Sequence, residues 1–265
     1  MRVLSLSQLT LDPVSGPDLV SAAAAAGFDA VTMRLKAPPG FELASPGAGA
    51  PVPVAEIKRR LAATGLEILD ATSLWLAADA QPRDFVPALD AAAELGAGRF
   101  TVVVTDAGRS RALANFAATC ALAGARGLRI ALEFMPYSAL RTLGEAARFL
   151  EDAHQPNAGI LLDALHLSRS GGSPADLNGV ETRKILFVQL CDAPLKPPPR
   201  EALRAESRTR RLYPGQGELP LRALLDALPP DLPIDVEAPC AADAALTPGE
   251  KAVRAAEFTR KFLAG

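Results

Sequence analysis

The sequence predicts an α/β protein: a single-domain (β/α)8 barrel spanning residues 1–265. Three observations carry this. Short β-rich or apolar runs alternate with longer Ala/Leu-rich stretches of helical character, the order expected of parallel strands joined by helical crossovers. Eight such units can be counted, and 265 residues is an ordinary length for one barrel. A helix-Gly-strand step recurs at Gly27, Gly65, Gly96 and Gly127, where a left-handed residue would end each helix. A doubly wound open sheet is the structural rival.

In chain order, strand one is read at Val3–Ser7 and its helix at 17–26; strand two follows at Asp29–Arg34. A Pro/Gly-rich stretch at 37–53 then reads as a long loop, before a helix at 54–64 and strand three at Glu67–Ser73. The pattern continues with a helix at 83–95, strand four at Arg99–Thr105, a helix at 108–127, strand five at Arg129–Phe134 and a helix at 139–153. Strand six is Ala158–Asp163, with a short helix at 173–179, and strand seven is Ile185–Leu190. A second Pro-rich loop at 193–200 and a helix at 219–228 lead to strand eight at Pro233–Glu237 and a last helix at 249–263. Neither loop divides the chain into two cores, because strand-like and helix-like units continue on both sides. In a barrel such loops form the catalytic face.

Composition narrows the function classes. Hydrophobic residues make up 49% and charged residues 22%, which places the chain among folded globular proteins and away from disorder. The net charge is −2, with acidic and basic residues interspersed, so no basic footprint for a nucleic-acid backbone is visible. No apolar run approaches the roughly 18 residues of a membrane span. The opening MRVLSLSQLTLDPVSG lacks the continuous apolar core of a secretion signal. Cys120, Cys191 and Cys240 are an odd number without a CxxC pair, which argues against a disulfide framework or a thiolate zinc site. A cytoplasmic protein acting on a small molecule is expected. Its Ala-rich outer helices leave a homo-oligomer open without identifying a face.

Four polar residues close apolar runs: Glu133 ends IALE, Asp163 ends GILLD, Gln189 lies near the end of ILFVQL, and Glu237 ends PIDVE. Inside the sheet a carboxylate would meet a large desolvation cost, whereas at the C-terminal rim it can face a metal or a substrate. Four oxygen donors suit Mg2+ or Mn2+ better than a site built on Cys or His would, with Co2+ or Zn2+ as alternatives. His166, three residues after Asp163, is placed to bind substrate or relay a proton, while His154 reads as an exposed helix-end residue. Arg208, Arg210 and Arg211 precede the turn Pro214-Gly215-Gln216-Gly217 and form a candidate anion-binding element; Arg169 and Lys196 are weaker candidates. No nucleotide-binding glycine loop is present.

ALEFMP at 131–136, NAGILLDALHLSRSGG at 157–172, VQLCDAP at 188–194, RRLYPGQGELPL at 210–221 and DVEAP at 235–239 together resemble the xylose-isomerase-like TIM barrel enzymes, a group of sugar-phosphate isomerases and epimerases related to endonuclease-IV-type barrels. The resemblance extends over the whole chain. It implies a metal set of Glu133, Asp163, Gln189 and Glu237, spaced by 30, 26 and 48 residues. The Gln at the third position looks most like the bacterial 3-dehydroshikimate dehydratase branch, and His166 then matches its substrate-side histidine. One departure stands out. Where those dehydratases resemble one another in an Arg after strand three, this chain reads Ser73-Leu-Trp-Leu-Ala77, so Trp75 would offer a ring for stacking on a ligand.

The chemistry implied is proton abstraction next to a carbonyl, with a metal stabilising the resulting enediolate. With Glu133 and Glu237 on different strands, one can remove a proton and the other return it, which makes an isomerase or epimerase of a sugar-like hydroxy-carbonyl compound the leading expectation. Loss of a β-hydroxyl instead gives a dehydratase of a cyclic hydroxy-carbonyl acid. A metal-dependent nuclease is a third expectation, suggested by fold analogy alone.

Overall fold

The computed structural model describes residues 2–37 and 52–265. Eight parallel strands close into a barrel in chain order: β1 (Leu4–Ser7), β2 (Ala30–Arg34), β3 (Glu67–Leu76), β4 (Arg99–Val104), β5 (Arg129–Glu133), β6 (Ala158–Asp163), β7 (Ile185–Leu190) and β8 (Ile234–Val236). Pairing of β1 with β8, Leu4 opposite Ile234, completes the ring and excludes the open sheet. The loop expected at 37–53 lies, over 38–51, outside the described residues.

The helices are α1 (Gln8–Leu11), α2 (Gly16–Ala25), α3 (Val54–Thr64), α4 (Val86–Glu94), α5 (Arg109–Gly124), α6 (Leu143–Ala153), α7 (Ala164–Arg169), α8 (Leu203–Thr209), α9 (Leu221–Asp226) and α10 (Pro248–Ala264). All four glycines chosen from the sequence have φ between 73° and 76°, a left-handed turn that a Cβ would strain. His154 caps α6 at φ 50° and is exposed, as expected of a helix-end residue.

The sequence-based boundaries need three corrections. β3 runs to Leu76 instead of stopping at Ser73, because Leu74, Trp75 and Leu76 pair with Val102, Val103 and Val104 after a register shift; Trp75 therefore belongs to the strand. The stretch 173–179 forms a 3-10 turn, Pro174–Gly179, not an α-helix. The region after 200 contains α8, a stretch to which the sequence reading assigned no element.

Helices and strand backs form one continuous apolar core. A second, smaller cluster comes from strands alone, Ala30, Leu69, Ala131, Leu161, Leu186 and Phe187, and plugs the inside of the barrel. Near it the interior turns polar: Ser5, Thr32, Asp70, Thr101 and Asp235 are all at most 2% exposed. The register sets Asp163 beside Gln189 and Gln189 beside Asp235, so β6, β7 and β8 deliver polar side chains to one end.

Candidate active site at the barrel rim

The spacing of Asp163 and His166 has a local cause. Asp163 ends β6 and is the N-cap of α7; its Oδ1 accepts the backbone N–H of His166 at 2.9 Å. Two intervening residues make His166 the third helical position, within the same turn. His166 Nε2 lies 3.8 Å from Glu133 Oε1 at the end of β5. Glu133, Asp163 and His166 each offer one ligand atom within 4.8 Å of the others.

Glu237 follows β8 and joins the group through its neighbours. Its Oε1 accepts from Ser7 Oγ at 2.9 Å and from Gln189 Nε2 at 3.1 Å. Gln189 Nε2 also donates to Asp235 Oδ2 at 3.2 Å. Both donations fix the amide so that Gln189 Oε1 is buried and meets no donor among the described residues. Arg211, 2% exposed, closes the ring: Nη1 lies 2.5 Å from Asp163 Oδ2 and Nη2 lies 3.0 Å from Glu237 Oε2. The structure thus brings together Glu133, Asp163, His166, Gln189, Glu237 and Arg211.

Placement of Arg211 depends on two fastenings. Its Nε donates to the Ser207 carbonyl at 2.7 Å, tying it to α8. α8 is in turn clamped to α7 by Arg169, whose Nε and Nη2 bind the two Glu206 oxygens at 2.8 and 2.7 Å. The following turn is held by Asp192, which accepts from the backbone N–H groups of Ala193, Gly215 and Leu219. At Gly217 a Cβ would stand 2.5 Å from the Ala193 carbonyl oxygen and from Asp192 Oδ1, so this close approach requires glycine. The paired segments VQLCDAP and RRLYPGQG are therefore one clasp.

The arginine triplet separates. Arg211 is committed to the carboxylates, Arg208 lines the pocket above them, and Arg210 is exposed and bridges to Cys240. Arg169 is a structural clamp, and Lys196 is exposed outside the pocket lining. Trp75 lines the pocket and donates Nε1–H to Ser73 Oγ at 2.9 Å. Tyr137 packs edge-on against His166 at 5.7 Å and shares a 2.7 Å hydrogen bond with Ser207. Sequence reasoning missed Arg34, Tyr137, Ser207, Ser7 and Asp235. Ring closure brings these together from distant segments, and only Asp235, a carboxylate at an interior strand position, carried a signal.

Electrostatics follow from burial. The Glu133 carboxyl is pushed well above its usual range, by burial first and then by the charges of Glu237 and Asp163. Burial also raises Glu237, against the pull of Arg211. Asp163 goes the other way: burial alone would raise it, but Arg211 and His166 hold it below the carboxylate range. His166 is pushed down to about 4 by burial, despite Asp163, and so is neutral at pH 7.

These residues fit a divalent cation. Three carboxylates face one guanidinium, which leaves negative charge to be balanced, and the Gln189 Oε1 acceptor is orphaned. An oxygen-rich set with one imidazole matches hard or borderline ions. The compact trio contains His166, which the sequence reading set beside the ligands; Glu237, read as a ligand, is drawn toward Arg211.

Residues 20–262 match the family described as a xylose isomerase-like TIM barrel. A 3-dehydroshikimate dehydratase of Pseudomonas putida is 33% identical over 104 residues, which are 39% of this chain and 16% of that much longer protein. Among solved structures, an IOLI protein with a bound zinc atom superposes with a TM-score of 0.84 at 18% identity, covering 100% of this chain and 98% of the other. The probable 3-DHS dehydratase AsbF of Bacillus anthracis superposes with a TM-score of 0.77 at 14% identity, covering 98% and 99%. At such identities the two structures speak for the fold. No described helix is long and apolar enough to cross a membrane.

Proposed function

Because the chain belongs to the xylose isomerase-like TIM barrel family, we propose that it is a divalent-metal-dependent lyase that removes water from a cyclic hydroxy-carbonyl acid of the 3-dehydroshikimate type. The convergence of Glu133, Asp163, Gln189 and Glu237 at the strand ends, with His166 beside them on α7, carries this reading. The named relatives support dehydration over the isomerisation that the sequence reading put first.

Glu133, Asp163, Gln189 and Glu237 would hold Mn2+ or Mg2+, with Co2+ or Zn2+ as alternatives and His166 adjacent. Such an ion, when bound, supplies positive charge to the substrate's carbonyl oxygen. Neutral His166 has a lone pair to accept the proton from the carbon next to the carbonyl. The C–H electrons form the new C=C bond, the C–O bond to the β-hydroxyl breaks, and the leaving hydroxide takes the proton that His166 accepted and departs as water. Tyr137 keeps bulk water off one edge of His166. Trp75 stacks on the substrate ring, and Arg211 keeps Asp163 and Glu237 in place. A cytoplasmic setting suits a small soluble metabolite.

The test is NMR of the Mn2+-loaded protein with 3-dehydroshikimate and, separately, with a panel of ketoses in D2O. Loss of water with a new ring double bond, abolished in Glu133→Gln, is the expected result. Solvent deuterium in an isomerised ketose, with no dehydration, would replace this reading with the isomerase.

A further inference from the structure

Tyr137 lines the pocket beside His166, on a turn that is closed twice: the Ser138 backbone N–H donates to the Met135 carbonyl at 2.9 Å, and the Met135 N–H donates to Ser138 Oγ at 3.3 Å. Its ring meets the His166 ring edge-on at 5.7 Å, and its hydroxyl meets Ser207 Oγ, a second pocket-lining group, at 2.7 Å. The direction of that short hydrogen bond follows from the next link. Ser207 Oγ lies 3.0 Å from the Arg204 carbonyl oxygen, which can only accept. Were Ser207 to give its single proton to Tyr137 instead, two oxygens bearing lone pairs would face each other at that distance. The donation therefore runs from Tyr137 to Ser207 to the Arg204 carbonyl. The Tyr137 O–H is spent on the protein, and its oxygen offers the pocket a lone pair.

We infer that Tyr137 sets specificity by accepting a hydrogen bond from a ligand hydroxyl, so that the pocket selects a group that donates over an ether or a bare methylene at the same place. The hydroxyl lies on the His166 side of the ligand, because the phenol ring packs against that imidazole. A fixed acceptor discriminates against an analogue without the matching donor, since it then loses water and gains no partner. Ser207 is the positioning residue, which draws the phenol proton away from the ligand. The same order leaves Tyr137 no proton for the leaving hydroxide. The inference deepens the proposed lyase reading and rests on it for a hydroxylated ring as ligand; it adds the side chain that reads a hydroxyl and the direction in which it does so.

The experiment measures equilibrium binding to the Mn2+-loaded protein by calorimetry, so it does not depend on turnover. Shikimate, which has no ketone to activate elimination, is compared with its 4-deoxy and 5-deoxy analogues and with the methyl ethers at those positions. D-fructose, its monodeoxy analogues and the matching methyl ethers form a second series. Wild type should bind shikimate about three- to tenfold more tightly than one of the two deoxy analogues, and the methyl ether at that position should not recover the difference. Tyr137→Phe should keep its metal and bind alcohol and deoxy analogue equally. In Ser207→Ala the phenol proton is released toward the ligand, and the ether should gain on the deoxy analogue. An ether bound by wild type as tightly as the alcohol would overturn the inference. So would a hydroxyl preference that survives in Tyr137→Phe, equal binding of every alcohol and deoxy analogue, or failure of wild type to bind either series. A Tyr137-dependent preference confined to the fructose series would instead sink the acid lyase and leave Tyr137 as the acceptor.

Discussion

Asp235 is fully buried beside Gln189, and its carboxyl is raised to about 7, by burial first and then by the Glu237 charge. Its folded pKa lies above its unfolded value, so its contribution to stability is present at low pH and lost as pH rises through about 7. Asp235→Asn removes that loss. The metal-free variant should gain on metal-free wild type between pH 4 and pH 8 by on the order of 4 kcal/mol, read from urea unfolding. His166 has the opposite sign. Its folded pKa of about 4 lies below the unfolded 6.5, so its contribution is present above 6.5 and lost as pH falls toward 4. His166→Gln should flatten that acid-side loss; an unchanged acid limb would contradict a buried neutral imidazole.

Legibility at this scale followed the cost of burying charge. Glu133, Asp163 and Glu237 stand out in the sequence because a carboxylate closing an apolar run needs a partner. Arg34 did not stand out, since an Arg at a strand end is usually solvated and only closure of the barrel turns it into the pocket. Arg211 was selected as an anion binder, and its side chain instead bridges two carboxylates.

At the scale of elements, α8 and the turn after it decide where Arg211 sits. Leu203–Thr209 has little apolar surface of its own, with Leu203, Glu206 and Ser207 as its buried residues, which is why no periodic stripe marked it. The buried Arg169–Glu206 pair holds it. Arg169→Met leaves Glu206 uncompensated and should cost about 3–5 kcal/mol, with faster amide exchange concentrated in 203–209. Uniform exchange across the barrel would contradict a local clamp. Gly217→Ala forces a Cβ against Ala193 and Asp192, and should lower turnover at least about tenfold by displacing Arg211. Unchanged kinetics would show that the clasp does not set the site.

For the whole molecule, ring closure turns four separate strand ends into one acidic floor. The (β/α)8 order was readable because each helix-Gly-strand step is local, and the four glycines do take left-handed backbone. The length of β3 was not readable, since it depends on pairing with β4. The central claim is that the closed rim holds one divalent cation. Calorimetric titration of Mn2+ into the metal-free protein, paired with thermal unfolding, tests this most directly. One site per chain is predicted, stabilising the fold by about 2.7 kcal/mol at a hundredfold excess over Kd and abolished in a folded Glu133→Gln. Absence of binding in wild type, or binding that survives in Glu133→Gln, would contradict the account.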